Sequence, residues 1–423
     1  MSNLIRPEFK PCMVRISSRA RFSGLMGQNG EVEPLSAQQN AEFCDQLLSL
    51  GRLHGLAAIG VCKASPFLKT RQVLEERRSQ GLNAEMAFTY RNPARSTDPS
   101  VSLPGVKSLV VAAYRYETSV PDAPLKPAAR VARYATADHY EQLRFGLGKV
   151  AEMLTESGFR ALVLADDNAL VDRAAAVRAG IGWFGKSSNV LLPGEGSWFL
   201  LGSVLTDAEL PVNELPLEDG CGSCQRCIDG CPTQAIIAPG VLDARKCLAW
   251  LLQAQGDFPH EFRQALGDRI YGCDECQEVC PPSRRSDSQS QQHDAQLDAS
   301  QAPGSWIDLH WLLSASEEEL LASVGRWYIP ARDARYVRRN ALVVLGNSAQ
   351  PLNTELQQLL ERYLDDPDDL LASHAAWAAL ELGQAGLLNH PTRSARVAIV
   401  AERAIFEAAR QRDSSPEVGR GKP

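Results

Sequence analysis

The chain of 423 residues is 44% hydrophobic and 22% charged, the composition of a globular protein with two or three domains. Its formal net charge of -7 at pH 7 excludes a generally basic nucleic-acid binder, although a local basic face can still contact phosphate. No stretch approaches the roughly 18 consecutive apolar residues of a membrane span, and the N-terminal segment has no apolar signal region. We therefore expect a cytoplasmic protein that contacts no membrane.

The first half of the chain divides into two parts. Residues 1–36 have no clear hydrophobic period and are interpreted as an N-terminal extension. Across residues 37–210, strand-like apolar runs such as SLVVAAYRY and WFLLGSVL alternate with helical patterns. This alternation predicts an α/β domain in which helices cover a sheet.

Four segments make up the second half. Residues 211–282 hold eight of the eleven cysteines. Residues 283–304 are biased towards Ser, Gln and Asp, which predicts a flexible linker. Residues 305–412 have a helical period with two similar units, YVRRNALVVLGN and SHAAWAALELGQAG, which predicts a short helical-repeat domain. Residues 413–423 are predicted to be a disordered tail.

The cysteine spacing is the most specific chemical signal. The first run is C-x2-C-x2-C-x3-C before Pro232, the bacterial-ferredoxin pattern in which three thiolates bind one 4Fe-4S cluster and the fourth reaches another. The second set is an isolated cysteine followed by C-x2-C-x3-C and Pro281. The spacing predicts two clusters with crossed ligands. The first set of ligands is Cys221, Cys224, Cys227 and Cys280. The second set is Cys231, Cys247, Cys273 and Cys276.

A pair of tetrahedral zinc sites is the alternative, because zinc sites also use C-x2-C spacing. Two ferredoxin-type runs that each end before a proline favour the clusters. Cys12, Cys44 and Cys62 are scattered and are interpreted as buried or free thiols. Two clusters in one small domain relay electrons singly, so a redox centre should lie at the end of the relay.

Residues 180–187 read GIGWFGKS and formally match a phosphate-binding loop. The context rejects nucleotide hydrolysis, because a helical pattern precedes the segment and an extended one follows it. Two interpretations remain. The glycines allow the backbone to approach a large ligand closely, or a glycine ends a helix before a tight turn into a strand.

Several segments together resemble the epoxyqueuosine reductase family over about residues 38–390. These segments are EMAFTYRNPARSTDPSVSLPGVKSLV, RYATADHY, DRAAAVRAGIGWFGKSSN, CGSCQRCIDGCPTQAI, LDARKCLAW, RIYGCDECQEVCP, YVRRNALVVLGN and HAAWAAL. The reductive dehalogenase group shares the cobalamin and the two clusters, but its export signal is missing here.

The resemblance implies an α/β cobalamin-binding domain, a ferredoxin-like two-cluster domain and a C-terminal α-helical, HEAT-like repeat domain. It also implies the chemistry. Two electrons from a low-potential donor pass through the clusters to cobalt, and the epoxide of epoxyqueuosine in tRNA leaves as water to give an alkene. We expect a monomer. The alternatives are a related corrinoid iron-sulfur reductase with another substrate, and a non-catalytic ferredoxin-type electron carrier.

The resemblance makes Asp166, seven residues before Arg173, the proton donor. Without the resemblance, Asp166 and its polar neighbours would be interpreted as a helix N-cap. Acid catalysis near neutral pH needs a raised pKa, which burial can provide. The resemblance further implies cofactor contacts for Asp166 itself and for Arg91, His139, Lys186 and Val190.

One motif departs from the family. Where the family has RYA-x-G-R-D-Y-H, this chain has Asp138 in place of the arginine, His139 in place of the aspartate and Glu141 in place of the histidine. Three changes of charge at the substrate pocket put the substrate in doubt more than the cofactors.

Arginines concentrate near the C-terminal repeats of an acidic chain. The resemblance implies that Arg335, Arg338 and Arg339 contact tRNA phosphates. The alternative is a solvated helix face with internal ion pairs.

Overall fold

The computed structural model describes residues 36–116, 122–212, 217–294, 304–348 and 352–413. The predicted N-terminal extension up to residue 35 and the tail from residue 414 lie outside these ranges. Within them, no helix is both long enough and apolar enough to cross a lipid bilayer.

The first part of the chain alternates helices and strands. In chain order they are α1 (Ala37–Leu53), β1 (Ala58–Lys63), α2 (Leu68–Ser79), α3 (Pro93–Ser96), α4 (Pro99–Ser102), β2 (Ser108–Arg115), β3 (Ala128–Val131), α5 (His139–Glu156), β4 (Ala161–Ala165), α6 (Asp172–Arg178), β5 (Trp183–Phe184), β6 (Val190–Leu191) and β7 (Phe199–Thr206).

Four of these strands form an antiparallel sheet in the order β1-β2-β7-β4. The sheet has helices on both faces. Strand β2 is a continuous apolar run because both of its faces are buried. Helix α5 packs on one face through Leu143, Leu147 and Val150, which lie on one side of the helix. Helix α6 packs on the other face through Ala174, Ala175 and Ala176. The prediction of a mixed α/β fold is confirmed.

The cysteine-rich part consists of short elements. In chain order they are α7 (Arg226–Asp229), β8 (Ile236–Ala238), β9 (Val241–Leu242), α8 (Leu248–Leu251), α9 (His260–Leu266), β10 (Arg269–Tyr271), α10 (Glu275–Glu278) and α11 (Pro281–Asp294).

Helix α11 overlaps the segment that we predicted as a flexible linker. Its first residue is Pro281, which suits a helix start because the missing N–H has no partner there anyway. Ser283 and Ser286 are buried, and Asp287 forms an ion pair with Arg133 at 2.8 Å. The prediction of a flexible linker is therefore wrong for residues 283–294, because they form a helix whose Ser283, Ser286 and Asp287 contact the α/β layer. Residues 295–303 lie outside the described ranges.

The C-terminal part is mainly helical. Its elements are β11 (Trp306–Asp308), α12 (Leu309–Ser314), α13 (Glu317–Ser323), α14 (Arg335–Gly346), α15 (Thr354–Leu364), α16 (Asp369–Glu381), α17 (Pro391–Ser394) and α18 (Val397–Asp413). Helices α14 and α16 correspond to the two similar units of the sequence. They approach so closely that a Cβ atom on Gly346 would lie 2.5 Å from the ring of Trp377. The description of these helices as HEAT-like repeats stays a prediction.

A small sheet joins strands from parts of the chain that the sequence analysis assigned to separate domains. Strand β3 pairs in parallel with β10 and antiparallel with β11. One apolar core accordingly runs from Ala129 of β3 to Ile399 of α18. The predicted boundaries near residues 282 and 304 therefore do not separate independent cores, whereas the sheet has two cores of its own within residues 43–212.

Arg339 of α14 lies inside this core and is 0% exposed. Its guanidinium donates to the carbonyl oxygens of Leu251 (3.0 Å), Ala254 (2.8 Å) and Gly256 (2.6 Å). Burial lowers its pKa to about 10. The prediction that Arg339 belongs to a tRNA-binding surface is corrected, because its side chain is fully buried within the protein.

We expect Arg339→Met to destabilise the fold by more than about 3 kcal/mol, since each buried carbonyl that loses its donor costs roughly 1–3 kcal/mol. Arg335→Met on the same helix is the matched control. Arg335 is exposed and pairs with Asp333 and Asp368, so its loss should cost less than about 1 kcal/mol. Anaerobic urea unfolding followed by circular dichroism measures both. Equal destabilisation by the two variants would contradict the buried role.

Candidate active site

The structure brings the eight cysteines of the predicted framework together in two groups. The first thiol group consists of Cys221, Cys224, Cys227 and Cys280, which line one cavity of about 180 Å³. The second thiol group consists of Cys231, Cys247, Cys273 and Cys276. Within it, burial raises the pKa of Cys273 to about 12; Arg269 opposes this rise, while Cys247 and Cys231 add to it. The grouping is the crossed one of the sequence analysis.

The donor set fits two 4Fe-4S clusters, each of which takes four thiolates. Within the described part of the chain, no group of three or more His, Cys, Asp or Glu side chains is arranged to hold a single metal ion. A zinc ion needs its four sulfurs about 2.3 Å from one point, whereas a cluster spreads its ligands further apart.

The glycine segment forms a hairpin from β5 and β6. Gly180 has a φ of +69° and follows the end of α6, and no helix follows the hairpin. A Cβ atom on Gly182 would lie 2.6 Å from the carbonyl oxygen of Leu191, and one on Gly185 would lie 2.5 Å from the Leu191 side chain. These glycines are explained by a helix end and a tightly packed hairpin, which was the second interpretation of this segment.

The hairpin also contacts the cysteine-rich part. Lys186 Nζ donates to the carbonyl oxygens of Gly222 (2.7 Å) and Cys224 (2.9 Å). Lys186 therefore binds the loop of the first thiol group, and its predicted cofactor contact stays a prediction. Val190 is 3% exposed and packs in the apolar core, so any cofactor contact from it must come through its main chain. Asn189 Nδ2 lies 3.7 Å from the Sγ atom of Cys276.

Asp166 follows β4 in a left-handed conformation with a φ of 57°. It does not cap a helix, because α6 begins after Val171 and has no side-chain cap. Its neighbours fix the loop. Asp167 Oδ1 accepts from the N–H of Ala169 at 2.8 Å, and Asn168 Oδ1 accepts from Arg95 at 2.7 Å. The helix-cap alternative is therefore wrong for Asp166.

The carboxyl group of Asp166 is exposed, yet the surrounding protein desolvates it and raises its pKa. Arg144 opposes this rise and Asp167 adds to it. Burial also raises the pKa of the nearby Asp172 well above its usual range, and the two other carboxyl groups raise it further. Burial likewise raises the pKa of Tyr140, which Asp166 and Asp172 raise further. Burial and the mutual repulsion of the carboxyl groups thus raise the pKa of all three side chains.

Tyr116 lies between the start of α5 and the second thiol group. Its ring is 5.6 Å from that of His139, and Gln277, next to Cys276, donates to its hydroxyl oxygen at 3.3 Å. Burial raises the pKa of Tyr116, and the charges of Asp274, Tyr140 and Cys276 raise it further.

The altered motif lies at the start of α5. Asp138 caps this helix by accepting from the N–H of Glu141 at 3.0 Å, a role that an arginine cannot fill. Glu141 is exposed in the first helical turn, where a negative charge is favourable. Two of the three charge changes thus have a local structural reason.

The third change, to His139, has no local structural reason of this kind. Its ring lies 5.6 Å from that of Tyr116, and its Nε2 atom is buried without a hydrogen-bond partner. Burial lowers its pKa, although a main-chain hydrogen bond with Arg133 raises it. The imidazole is therefore neutral at pH 7 and offers one unpaired nitrogen.

The remaining predicted residues are placed as follows. Arg91 is exposed just before α3, the helix that holds the Asn168 loop. Arg335 is exposed but paired with two aspartates, and Arg338 is half-buried with Nη2 donating to the carbonyl oxygen of Ala315 at 3.0 Å. The internal ion pairs match the solvated-face alternative for Arg335.

Sequence reasoning missed Arg144, Asp172, Tyr116 and Asn189 as site residues. Asp172, Tyr140 and Asn189 stand inside motifs that we quoted, so the family resemblance could have marked them as candidates. Arg144 and Tyr116 carry no spacing signal, because their partners are distant in sequence.

Two thiol groups of ferredoxin type define an iron-sulfur protein that transfers electrons. Residues 220–283 match the family model of the 4Fe-4S double cluster binding domain. The chain is 33% identical over 351 residues to epoxyqueuosine reductase of Bacillus cereus, covering 81% of this chain and 89% of that protein. It is 33% identical over 369 residues to the Vibrio cholerae enzyme, covering 83% and 94%. The chain belongs to the epoxyqueuosine reductase family.

Solved structures agree with this assignment. Epoxyqueuosine reductase with an epoxyqueuosine-modified tRNA-Tyr stem loop superposes with a TM-score of 0.74 at 28% identity, covering 87% of this chain and 100% of that one. The Bacillus subtilis enzyme, whose catalytic aspartate loop is swung out of the active site, has a TM-score of 0.74 at 27% identity, covering 86% and 99%.

The crossed grouping predicts which pairs of cysteine variants lose iron additively. Cys221→Ala and Cys280→Ala should each remove about half of the iron, and the double variant should remove no more, because both belong to one cluster. Cys231→Ala combined with Cys280→Ala should remove nearly all of it. Iron analysis after anaerobic reconstitution measures this, with the buried Cys44→Ala as a control that keeps full iron. Additive loss in the first pair would contradict the grouping.

Proposed function

We propose that this protein reduces epoxyqueuosine to queuosine in tRNA with cobalamin and two 4Fe-4S clusters. The proposal rests on the two thiol groups of ferredoxin type and on Asp166, a carboxyl group of the α/β layer whose pKa is raised by burial. A reductive loss of oxygen needs an electron source and an acid, and this chain offers both.

The reaction balances with two electrons and two protons. The two C–O bonds of the epoxide break, the carbons form an alkene, and the oxygen leaves as water. Asp166 gives a proton to that oxygen, because burial raises its pKa towards that of a general acid and its exposure lets it reach a substrate. The pKa values of Asp172 and Tyr140 are raised as well, by burial first and by the neighbouring carboxyl groups second.

Cobalamin, when bound, supplies the two-electron nucleophile that attacks the substrate. The residues present fit such a ligand. His139 Nε2 and Trp183 Nε1 are buried polar atoms without partners, which suits the amide-rich rim of a corrinoid. Phe88 and Phe184 are exposed aromatic rings, 44% and 47%, on two of the segments that the family resemblance places around it.

For tRNA binding we propose the surface around Asp166 instead of the C-terminal helix face. Arg91, Arg95 and Arg173 are exposed and lie on the segments around the Asp166 loop. They form a local basic patch on an acidic chain, which is where phosphates of a bound stem loop would be stabilised.

A corrinoid iron-sulfur reductase with another substrate is the second candidate. His139 favours it, because a neutral imidazole with an unpaired nitrogen replaces the aspartate of the family motif and would select a different hydrogen-bonding partner.

We expect Asp166→Asn to reduce turnover of epoxyqueuosine tRNA at least 100-fold, since an amide cannot donate the proton. Single-turnover assays with reconstituted protein, cobalamin and a low-potential reductant measure it. Asp167→Asn is the matched control and should keep turnover within a fewfold at acidic pH, because its amide oxygen still accepts from Ala169.

The same reconstituted protein distinguishes the candidate functions. A changed visible spectrum on adding cobalamin excludes a simple electron carrier, and turnover of epoxyqueuosine tRNA excludes the second substrate. Full activity of Asp166→Asn would remove the acid role, whatever the substrate.

The pH profile should respond to the two charged neighbours of Asp166 in opposite directions. The acid is active while protonated, so kcat falls as pH rises through its pKa. Arg144→Met removes a cation that lowers this pKa and should extend activity to higher pH. Asp167→Asn removes an anion that raises it and should move the fall to lower pH. Profiles at saturating tRNA measure both, and shifts in the same direction would contradict the assignment.

A further inference from the structure

The hairpin of β5 and β6 lies against both thiol groups. Through Lys186 it binds two carbonyl oxygens in the loop of the first group. The main-chain carbonyl of Lys186 also accepts from Gly240 at 2.9 Å. Through Asn189 it reaches Cys276 of the second group, with Nδ2 3.7 Å from Sγ. A short element of the α/β layer thus contacts the cysteine-rich part at three points.

Hydrogen bonds hold the backbone of the loop that carries Asn189. The N–H of Asn189 donates to Ser187 Oγ at 3.4 Å, and its main-chain carbonyl accepts from Gly185 at 2.8 Å. The preceding residue, Ser188, has a φ of 67°, and its carbonyl oxygen accepts from Arg173 of α6 at 3.3 Å. A side chain on a fixed backbone loses less conformational entropy when it donates a hydrogen bond.

Asn189 differs from the donors that surround the other ligand sulfurs. Cys231 Sγ accepts from the N–H of Ala235 at 3.2 Å and lies 3.8 Å from Thr233 Oγ1. Those donors follow directly from the local ferredoxin-type loop. Asn189 instead precedes Cys276 by 87 residues and belongs to another layer of the fold.

A cysteine that binds a cluster is a thiolate, so it accepts hydrogen bonds and the amide must present its NH2 group. Reduction adds a negative charge to a 4Fe-4S cluster, and a donor to a ligand sulfur stabilises the reduced form more than the oxidised one. Hydrogen bonds to the sulfurs are among the factors that set cluster potentials.

We propose that Asn189 is a positioning residue that raises the reduction potential of the cluster bound by the second thiol group. The first group opens into a cavity, while the second lies against the α/β layer, where Gln277, next to Cys276, donates to the Tyr116 hydroxyl oxygen at 3.3 Å. A higher potential at the second cluster directs electrons from the first cluster towards the α/β layer. The inference deepens the proposed function and rests on its assignment of two clusters.

The test uses the full-length, reconstituted protein in anaerobic redox titrations followed by electron paramagnetic resonance. Asn189→Leu removes the donor at similar volume, and Asn189→Asp keeps the shape but offers only acceptors. In both variants we expect one cluster to shift to a more negative potential while the other is unchanged. For Asn189→Leu we expect about a tenfold change in the ratio of reduced to oxidised cluster, which is 59 mV for one electron.

Ser188→Ala is the control, because its hydroxyl oxygen is buried on the same loop without a hydrogen-bond partner. Neither potential should change in it. Iron content is measured in every variant, so that a shift is compared only between fully loaded clusters.

Equal shifts at both clusters, no shift at full iron content, or loss of iron in both Asn189 variants would each overturn the inference. The titration uses neither tRNA nor corrinoid. Unchanged potentials with normal wild-type turnover of epoxyqueuosine tRNA would therefore reject only the role of Asn189. A selective shift without wild-type turnover would reject only the proposed function.

Discussion

The placement of eight cysteine sulfurs in two groups of four is the constraint on which the rest of this structure depends. Each group takes one thiol from the other sequence run, so neither can form until residues near 230 and 280 have met. The buried carboxylate of Asp274, between two second-group cysteines, accepts from the N–H of Arg133 at 2.8 Å. A buried, paired carboxylate of this kind fixes the cysteine-rich part against the α/β layer.

The same contact surface involves several elements of the α/β layer. The β5-β6 hairpin contacts the cysteine-rich part through Lys186 and Asn189. Tyr116 contacts it as well, because Gln277 donates to its hydroxyl oxygen at 3.3 Å. In the proposed function, these contacts connect the electron relay with the layer that carries Asp166.

The three residue changes in the altered family motif differ in their structural reasons. Asp138 and Glu141 are accounted for by the first turn of α5, where a cap and a negative charge are favourable. His139 alone keeps an unpaired buried nitrogen. Read only as sequence, the three changes suggested a rewritten pocket. The structure leaves one of the three changes, the imidazole of His139, without a local structural reason.

The sequence by itself determined the features that depend on local spacing. The ferredoxin-type runs, the alternation that gives a mixed α/β fold and the helical period of α14 and α16 all lie within a few turns or strands of the chain. Only the tertiary structure decided the burial of Arg339, the helical form of residues 283–294, the common core from Ala129 to Ile399 and the contact of Asn189 with Cys276. These features depend on which distant segments meet, and burial or a long-range hydrogen bond leaves no periodic trace in the residues that make it.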